Sequence, residues 1–175
     1  MGLTTDFFDL GGLRLGSGEG RRLELEVALG SFELAGETYE PETDLVPVIL
    51  DVSRTTNNGY ALRLRFAATL AGPCMRCLTA AAPEFQVDAR EISQPGDGDE
   101  LESPYVSPNP PVLLDLRSWA HDALALALPT QILCRPDCAG LCPECGEDLN
   151  VAGPDHAHER EPDLRWAKLS ELRFD

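Results

Sequence analysis

Four of the six cysteines lie in one short segment, residues 134–150, with the sequence CRPDCAGLCPECGEDLN. Two of them, Cys142 and Cys145, flank Pro143 and Glu144, and Gly146 follows directly. In such a turn, backbone N–H groups can point at the sulfur atoms, and glycine lets the chain pass close by. Thiolates favour soft or borderline cations, and zinc takes four of them in a tetrahedron. The segment therefore predicts a metal-binding knuckle that constrains the fold of the rest of the chain.

Further candidate ligands lie on both sides of this segment. The pair His156 and His158 follows it, and residues two apart share a face of an extended chain, so both imidazoles could reach one ion. Upstream, Cys74 and Cys77 form a second C-x2-C pair that encloses Arg76. These positions bring the candidate ligands to eight, enough for two tetrahedral sites: Cys74, Cys77, Cys134, Cys138, Cys142, Cys145, His156 and His158.

The spacing leaves two arrangements open. One arrangement combines Cys142, Cys145 and both histidines in a C-terminal site, with the other four cysteines in a second site. The competing arrangement is a single all-thiolate site made by the four cysteines of residues 134–145. Either arrangement predicts structural zinc, one or two ions; the alternatives are reduced thiols or an iron–sulfur cluster. Catalytic zinc is disfavoured because it needs an open coordination position, and four sulfur ligands close a site. Catalytic zinc also usually has a carboxylate or other base nearby, but acidic residues are so common in this chain that the presence of Glu144 and Glu147 is not evidence for one.

The charge of the chain bears on its partners. There are 30 acidic residues against 14 basic ones, for a net charge of -16. Because Lys and Arg contacts to phosphates dominate nucleic-acid affinity, an acidic surface favours a basic protein partner over RNA. Direct RNA binding would need a local basic patch, for which Arg63, Arg65 and Arg76 are the candidates, although a structural role is favoured for each.

Cellular location follows from the absence of recognisable targeting segments. Residues 1–10 lack the basic start and apolar run of a signal peptide, and no stretch approaches the length of a transmembrane helix. We therefore expect a cytoplasmic protein with no membrane partner. In that compartment disulfides are rare, and clustered cysteines indicate metal or redox chemistry.

Alternating apolar residues predict the strands. Residues 21–29 alternate as a half-buried antiparallel strand, and another strand is expected near 85–92. Residues 44–66 predict a hairpin whose second strand runs on to the C-x-R-C motif. Its apolar pattern sets a register that pairs Val52 with Leu62 and leaves a short loop with Asn58 or Gly59 in the left-handed conformation. The same register puts Asp51 opposite Arg63, a favourable cross-strand pair.

One main helix is expected at about residues 115–128, with Asp115 as its N-cap and Pro129 ending it. Residues 94–111 read as an exposed acidic loop, and residues 163–172 could form a short helix. The fold class is therefore α+β: an antiparallel sheet or partly open barrel with one main helix and a C-terminal zinc-knuckle element. We expect a β-rich core over residues 1–130, followed by the knuckle and tail over 131–175.

The order of these features resembles the bacterial YceD family, the large ribosomal RNA subunit accumulation proteins. The motifs that carry the resemblance are C-x-R-C at residues 74–77, L-A-L-P at 126–129, C-x3-C-x-G-L-C-P-x-C-G-x-x-L-N at 134–150 and D-x-x-W-A-x-L at 163–169. The resemblance covers about residues 20–172. Many members carry C-x-C where this chain has His156 and His158, a departure that still suits metal ligation.

The resemblance implies a role in the synthesis, processing or accumulation of large-subunit ribosomal RNA, in a family with no established catalytic activity. We therefore expect a non-enzymatic factor that binds a basic ribosomal or assembly protein, with large-subunit ribosomal RNA or a precursor particle as further candidate partners. One alternative is a direct RNA-binding module. Another is a thiol redox protein using Cys74 and Cys77, although redox pairs usually lie at a helix N-terminus in a βαβ unit.

Overall fold

The computed structural model describes residues 6–94 and 101–158. Within these residues the chain forms an α+β fold of antiparallel strands with one main helix, as the sequence predicts. The elements in chain order are β1 (Phe7–Asp9), β2 (Gly20–Val27), β3 (Phe32–Leu34), β4 (Glu37–Pro41), β5 (Val46–Arg54), β6 (Tyr60–Pro73), β7 (Ala80–Ala81), β8 (Glu84–Ser93), β9 (Leu113–Asp115), α1 (Leu116–Ala127) and α2 (Leu149–Ala152).

Strand β6 is the centre of the main sheet, because four other strands pair with it. Its first half lies between β5 and β8, and its last residues pair with β4 and β7. Strand β2 extends the sheet beyond β5, and β3 extends it beyond β4. All of these pairings are antiparallel. As a result, β6 runs the length of the sheet and delivers the C-x-R-C segment to its far end.

The register of the β5–β6 hairpin is the predicted one. Val52 lies opposite Leu62, and Asn58 in the turn has a φ of 58°, within the left-handed region that asparagine tolerates. The inward side chains of both strands are buried in one core cluster. A slip of one residue would turn that whole set toward solvent, which is why the apolar pattern determines the register.

The ion pairs on the outer face of this hairpin differ from the expected one. Asp51 does lie opposite Arg63, but Arg63 Nε donates to Asp88 on β8 at 2.7 Å. Asp51 instead accepts from Arg22 on β2 at 2.6 Å and from Arg65 at 2.9 Å. The expected juxtaposition of Asp51 and Arg63 is confirmed, and Asp51 helps to raise the pKa of Arg63, but the hydrogen-bonded ion pairs form with other partners because the sheet continues on both sides of this hairpin. Arg63 and Arg65 are therefore engaged in ion pairs across the sheet.

Helix α1 packs against β8, β1 and β2, and its buried face joins the core of the sheet. The predicted N-cap is confirmed, because Asp115 Oδ1 accepts from the Ser118 backbone N–H at 3.0 Å. Trp119 is buried in the core, and His121 stacks on Phe32 with 4.3 Å between ring centroids. Both side chains thus serve packing.

Two parts of the prediction lie outside the described residues: the helix expected over residues 163–172 and positions 95–100 of the acidic loop. The proposed division near residue 130 stays a prediction, although side chains from both sides of it meet, as described below. Among the helices in the described ranges, none has the length and apolar character needed to cross a membrane.

Candidate metal centres

The eight candidate ligands form two groups in the structure. We call Cys74, Cys77, Cys134 and Cys138 the sheet-end cluster, and Cys142, Cys145, His156 and His158 the knuckle cluster. Within each cluster the four candidate ligand atoms all lie within 4.8 Å of one another. Each group could hold a metal ion. The grouping corresponds to the first of the two arrangements that the sequence left open, since the cysteines of residues 134–145 divide between the clusters.

The sheet-end cluster forms where β6 ends and the chain turns back into β7. The Cys74 N–H donates to the Thr79 carbonyl oxygen at 2.7 Å, and Leu78 adopts a φ of 61° in the turn. The segment after α1 is attached to this turn by the Met75 N–H, which donates to the Ile132 carbonyl oxygen at 2.9 Å. That attachment brings Cys134 and Cys138 to the end of the sheet.

Arg76 stabilises the sheet-end cluster from outside. Its Nη1 donates to the Cys138 carbonyl oxygen at 3.1 Å, and its Nε donates to Gln131 Oε1, also at 3.1 Å. The side chain therefore joins the turn after β6 to the segment after α1. Arg76 lies beyond the end of β6, whereas Arg63 and Arg65 lie within its first half, so the three arginines do not form one patch.

The sulfur positions of the sheet-end cluster match a single four-coordinate ion. Cys74 Sγ lies 3.7 Å from Cys138 Sγ, and Cys77 Sγ lies 3.6 Å from Cys134 Sγ. Zinc–sulfur bonds of about 2.3 Å give a regular tetrahedron an edge of about 3.8 Å. Three of the four cysteines are buried and Cys134 is exposed, so an ion here would be held mostly inside the protein.

The electrostatics of this cluster favour a bound cation. Burial alone would raise the pKa of Cys74, but backbone N–H groups of Cys77, Arg76 and Cys134 outweigh it and lower the pKa to about 6. The Thr79 hydroxyl lowers the pKa of Cys77. Desolvation and the neighbouring sulfur atoms raise the pKa of Cys134 to about 12. The lowered pKa values of Cys74 and Cys77 favour their thiolate forms, and a bound cation would favour ionisation of Cys134 as well.

The knuckle cluster begins with a tight turn. The Gly146 N–H donates to the Cys142 carbonyl oxygen at 2.8 Å, and Gly146 has a φ of 75°, which glycine adopts without steric cost. Helix α2 follows, with Asp148 Oδ1 accepting from the Asn150 N–H at 2.9 Å as its N-cap. The chain then turns at Gly153 and returns toward the cysteines, which places both histidines against them.

The donor positions of the knuckle cluster also match one tetrahedral ion. Cys145 Sγ lies 3.5 Å from His156 Nε2, Cys142 Sγ lies 3.2 Å from His158 Nε2, and the two Nε2 atoms are 3.0 Å apart. Zinc bonds of about 2.3 Å to sulfur and about 2.0–2.1 Å to nitrogen give S···N edges of about 3.5 Å and an N···N edge of about 3.3 Å. Both imidazoles therefore present Nε2 to the site.

The thiols of the knuckle cluster repeat the pattern of the first cluster. Backbone N–H groups of Cys145 and Glu144 lower the pKa of Cys142 to about 6. The Glu147 N–H acts to lower the pKa of Cys145, but desolvation and the contact with Cys142 raise it. Each cluster thus combines at least one thiol of lowered pKa with a thiol of raised pKa, and a divalent cation would favour loss of the proton from the second.

Asn150 connects the two clusters. Its Nδ2 donates to Cys138 Sγ at 3.5 Å and to Asp148 Oδ1 at 2.6 Å, and its Oδ1 accepts from the Ala139 N–H at 2.8 Å. Sequence reasoning placed Asn150 in the motif but gave it no role. A backbone hydrogen bond at 3.2 Å, from the Leu141 N–H to the Arg76 carbonyl oxygen, reinforces the connection. The knuckle is therefore attached to the sheet end.

Two acidic residues that the sequence could not single out contact the histidines. Glu147 Oε2 lies 3.3 Å from His156 Nδ1, and Glu144 Oε2 lies 3.8 Å from His158 Nδ1. Among 30 acidic residues their position beside Cys145 carried no distinguishing signal. Their significance depends on the path of the chain after α2, which the spacing alone does not reveal.

The fold and these clusters define an acidic α+β protein with two groups of four Cys and His side chains, each able to hold a metal ion. The sequence model of one family, described as "Large ribosomal RNA subunit accumulation protein YceD", matches residues 62–173, a range that includes all eight candidate ligands. The chain belongs to the YceD family.

Similar proteins occur in mycobacteria. An uncharacterized protein of Mycobacterium tuberculosis is 39% identical over 121 residues, which cover 67% of this chain and 58% of the relative. One of Mycobacterium bovis gives the same values, and one of Mycobacterium leprae is 36% identical over 113 residues, 61% of this chain and 51% of the relative. The chain thus matches little more than half the length of these relatives. No solved structure matches the chain.

Proposed function

We propose that this protein is a non-enzymatic, zinc-stabilised factor in large-subunit ribosome biogenesis that binds a basic ribosomal or assembly protein. The family description, which refers to accumulation of large-subunit ribosomal RNA, supports the process. The observation that carries the structural part is that each cluster brings four candidate ligand atoms within 4.8 Å of one another. Four protein ligands complete the coordination of zinc and leave no position for a catalytic water.

The donor set supports zinc as the bound ion. Thiolate and imidazole ligands at tetrahedral spacing suit zinc, whereas calcium and magnesium prefer oxygen ligands. The residues present fit zinc in both clusters, and a bound ion would supply structure by joining separate segments of the chain. The proposal therefore assigns the eight ligands a structural role.

The choice of a basic partner rests on charge. The net charge is -16, and between Arg22 and Arg54 the sequence has no lysine or arginine. Five acidic residues in the β3–β4 region are exposed: Glu33, Glu37, Glu40, Glu42 and Asp44. Direct RNA binding has less support, because Arg63 and Arg65 are already paired with Asp88 and Asp51.

Affinity capture tests this proposal. Tagged wild-type protein is cross-linked in bacterial cells and recovered at low and at high salt, and the bound proteins and RNA are identified. We expect ribosomal or assembly proteins that are lost at high salt, since charge attraction between exposed groups is screened. Recovery of no ribosomal protein, precursor particle or ribosomal RNA would contradict the proposal, and salt-sensitive capture of RNA alone would favour the RNA-binding alternative.

Depletion of the protein tests the biological process separately. We expect large-subunit ribosomal RNA to fall relative to small-subunit ribosomal RNA, and wild-type protein to restore the ratio. The double variant Cys77→Ser with Cys145→Ser removes one ligand from each cluster and should not restore it. An Arg117→Gln variant, altered at an exposed residue far from both clusters in the chain, is the matched control. An unchanged ratio on depletion would contradict the role in biogenesis.

A further inference from the structure

The two clusters differ in the polar groups that surround them. Around the sheet-end cluster the contacts come mainly from donors: backbone N–H groups, the Thr79 hydroxyl and the Asn150 amide. Around the imidazoles of the knuckle cluster they come from two carboxylates, Glu147 and Glu144. Thiolates are stabilised by donors, whereas a neutral imidazole bound through one nitrogen has an N–H to donate from the other. Each set of contacts therefore suits its own kind of ligand.

The carboxylate contacts fix which imidazole nitrogen faces the site. His156 and His158 both turn Nε2 toward the sulfur atoms, so Nδ1 must carry the proton when the neutral ring binds a cation. Glu147 Oε2 lies 3.3 Å from His156 Nδ1, an ion-pair contact that brings the carboxylate within reach of that N–H. Glu144 Oε2 is 3.8 Å from His158 Nδ1, a longer and weaker contact.

Both carboxylates come from the turn that supplies the sulfur ligands. They lie one residue before and two residues after Cys145, and the Cys142 N–H donates to the Glu147 carbonyl oxygen at 2.8 Å. The His156 side chain is 14% exposed and that of His158 is 32% exposed, so the first imidazole is the more shielded of the two. One turn thus presents two sulfur atoms inward and two carboxylates to the imidazoles.

We propose that Glu147 and Glu144 are positioning residues of the knuckle cluster. In the metal-bound site Glu147 accepts the Nδ1–H of His156, holds the ring with Nε2 toward the ion and makes the imidazole a stronger ligand, and Glu144 attracts the Nδ1–H of His158 electrostatically from a longer distance. The inference rests on the proposed zinc site and adds that this cluster, with histidines in place of the C-x-C of many family members, depends on acidic neighbours. Partners of this kind typically change metal affinity by about 10–100-fold when removed.

The test measures metal affinity on the full chain. Apo protein is titrated with zinc against a chromophoric chelator, and with cobalt(II), whose absorption distinguishes a four-sulfur site from a two-sulfur, two-nitrogen site. We expect Glu147→Gln to weaken the knuckle cluster about 10–100-fold and Glu144→Gln to weaken it less, with the sheet-end cluster unchanged. The matched control is Asp155→Asn, which removes one negative charge beside His156 at an exposed position.

A second comparison separates positioning from simple charge. His156→Cys replaces the imidazole by a thiolate, which has no N–H to donate. In the His156→Cys background, Glu147→Gln should no longer weaken zinc binding. It should strengthen zinc binding if repulsion between the Glu147 carboxylate and the new thiolate is the only remaining effect. An equal loss in both backgrounds, or a loss no larger than that of Asp155→Asn, would overturn the inference while leaving the zinc site intact. A wild-type chain that binds one ion, with a four-sulfur spectrum, would overturn both.

Discussion

The contact between Asn150 and the sheet-end cluster yields the sharpest test of how the two clusters are joined. Asn150→Asp preserves the shape of the side chain and its acceptor oxygen, which receives the Ala139 N–H at 2.8 Å and Arg135 Nη2 at 2.7 Å. It removes the two donor bonds, to Cys138 Sγ at 3.5 Å and to Asp148 Oδ1 at 2.6 Å. The substitution therefore removes the donor half of the connection and places a negative charge next to Asp148 and Cys138.

The expected magnitude follows from the nature of the lost bonds. Hydrogen bonds to charged groups contribute about 1.5–3 kcal/mol each, and the long N···S distance and partial exposure place the bond to Cys138 at the lower end. A loss of about 1.5 kcal/mol corresponds to about a tenfold weaker zinc affinity of the sheet-end cluster. The bond from Arg135 becomes charge-assisted and offsets part of the loss in folding stability. Metal affinity is therefore the more sensitive measurement.

The assay is competition between the protein and a chelator of known zinc affinity, run on apo protein with both clusters followed. Asn57→Asp, in the exposed turn between β5 and β6, adds the same charge away from the clusters and is the matched control. Equal zinc affinities of the Asn150→Asp and Asn57→Asp variants at the sheet-end cluster would contradict this prediction. It is also refuted if only the knuckle cluster weakens.

Three other predictions concern the clusters, the sheet and acid stability. Cys145→Ser should leave zinc only in the sheet-end cluster, which elemental analysis with thiol counting will show as the loss of one of the two expected ions. Gly72→Ala should destabilise the fold by about 1–3 kcal/mol in urea unfolding, because a Cβ there overlaps the Tyr39 ring. The hydrogen bond from Arg22 lowers the pKa of Asp51; desolvation opposes this effect and the hydrogen bond from Arg65 supports it. The folding stability that the Asp51 carboxylate contributes is therefore present above about pH 4 and is lost on further acidification. Asp51→Asn should therefore lose less stability than wild type between pH 5 and pH 2, by about 1 kcal/mol or less given solvent screening, as followed by thermal unfolding.

The sequence predicted those parts of the fold that repeat a local pattern. The register of Val52 with Leu62 follows from strict alternation, and the start of α1 follows from the capping chemistry of Asp115. Strand β1 was missed, because its three residues carry no alternation and owe their pairing to β9, about a hundred positions later in the chain. The sequence placed Asp51 opposite Arg63 correctly but did not reveal that Arg63 hydrogen-bonds to Asp88 and Asp51 to Arg22, because these partners come from strands beyond the hairpin.

At the candidate site, spacing identified the eight side chains but not their grouping. Cys134 and Cys138 lie closer in sequence to Cys142 than to Cys74, and only the return of the chain after α1 decides between them. The acidic partners of the histidines were hidden by the abundance of carboxylates. Which carboxylates face the histidines depends on the path of the chain through the short helix α2, and no local sequence pattern predicted that helix.

The span of the sheet-end cluster has a consequence for how the chain matures during synthesis. Its sulfur contacts join residues 57 and 64 positions apart, whereas those of the knuckle cluster join residues 11 and 16 positions apart. By analogy with a covalent cross-link, closing the longer loop lowers the entropy of the unfolded chain by an amount worth about 4 kcal/mol of free energy. Closing the shorter loop is worth about 3 kcal/mol. A chain made from its N-terminus exposes β2 to β8 before Cys134 has been translated. We therefore expect the main sheet to assemble without metal. We expect ion binding to be a later step, which attaches the newly synthesised C-terminal segment to the sheet.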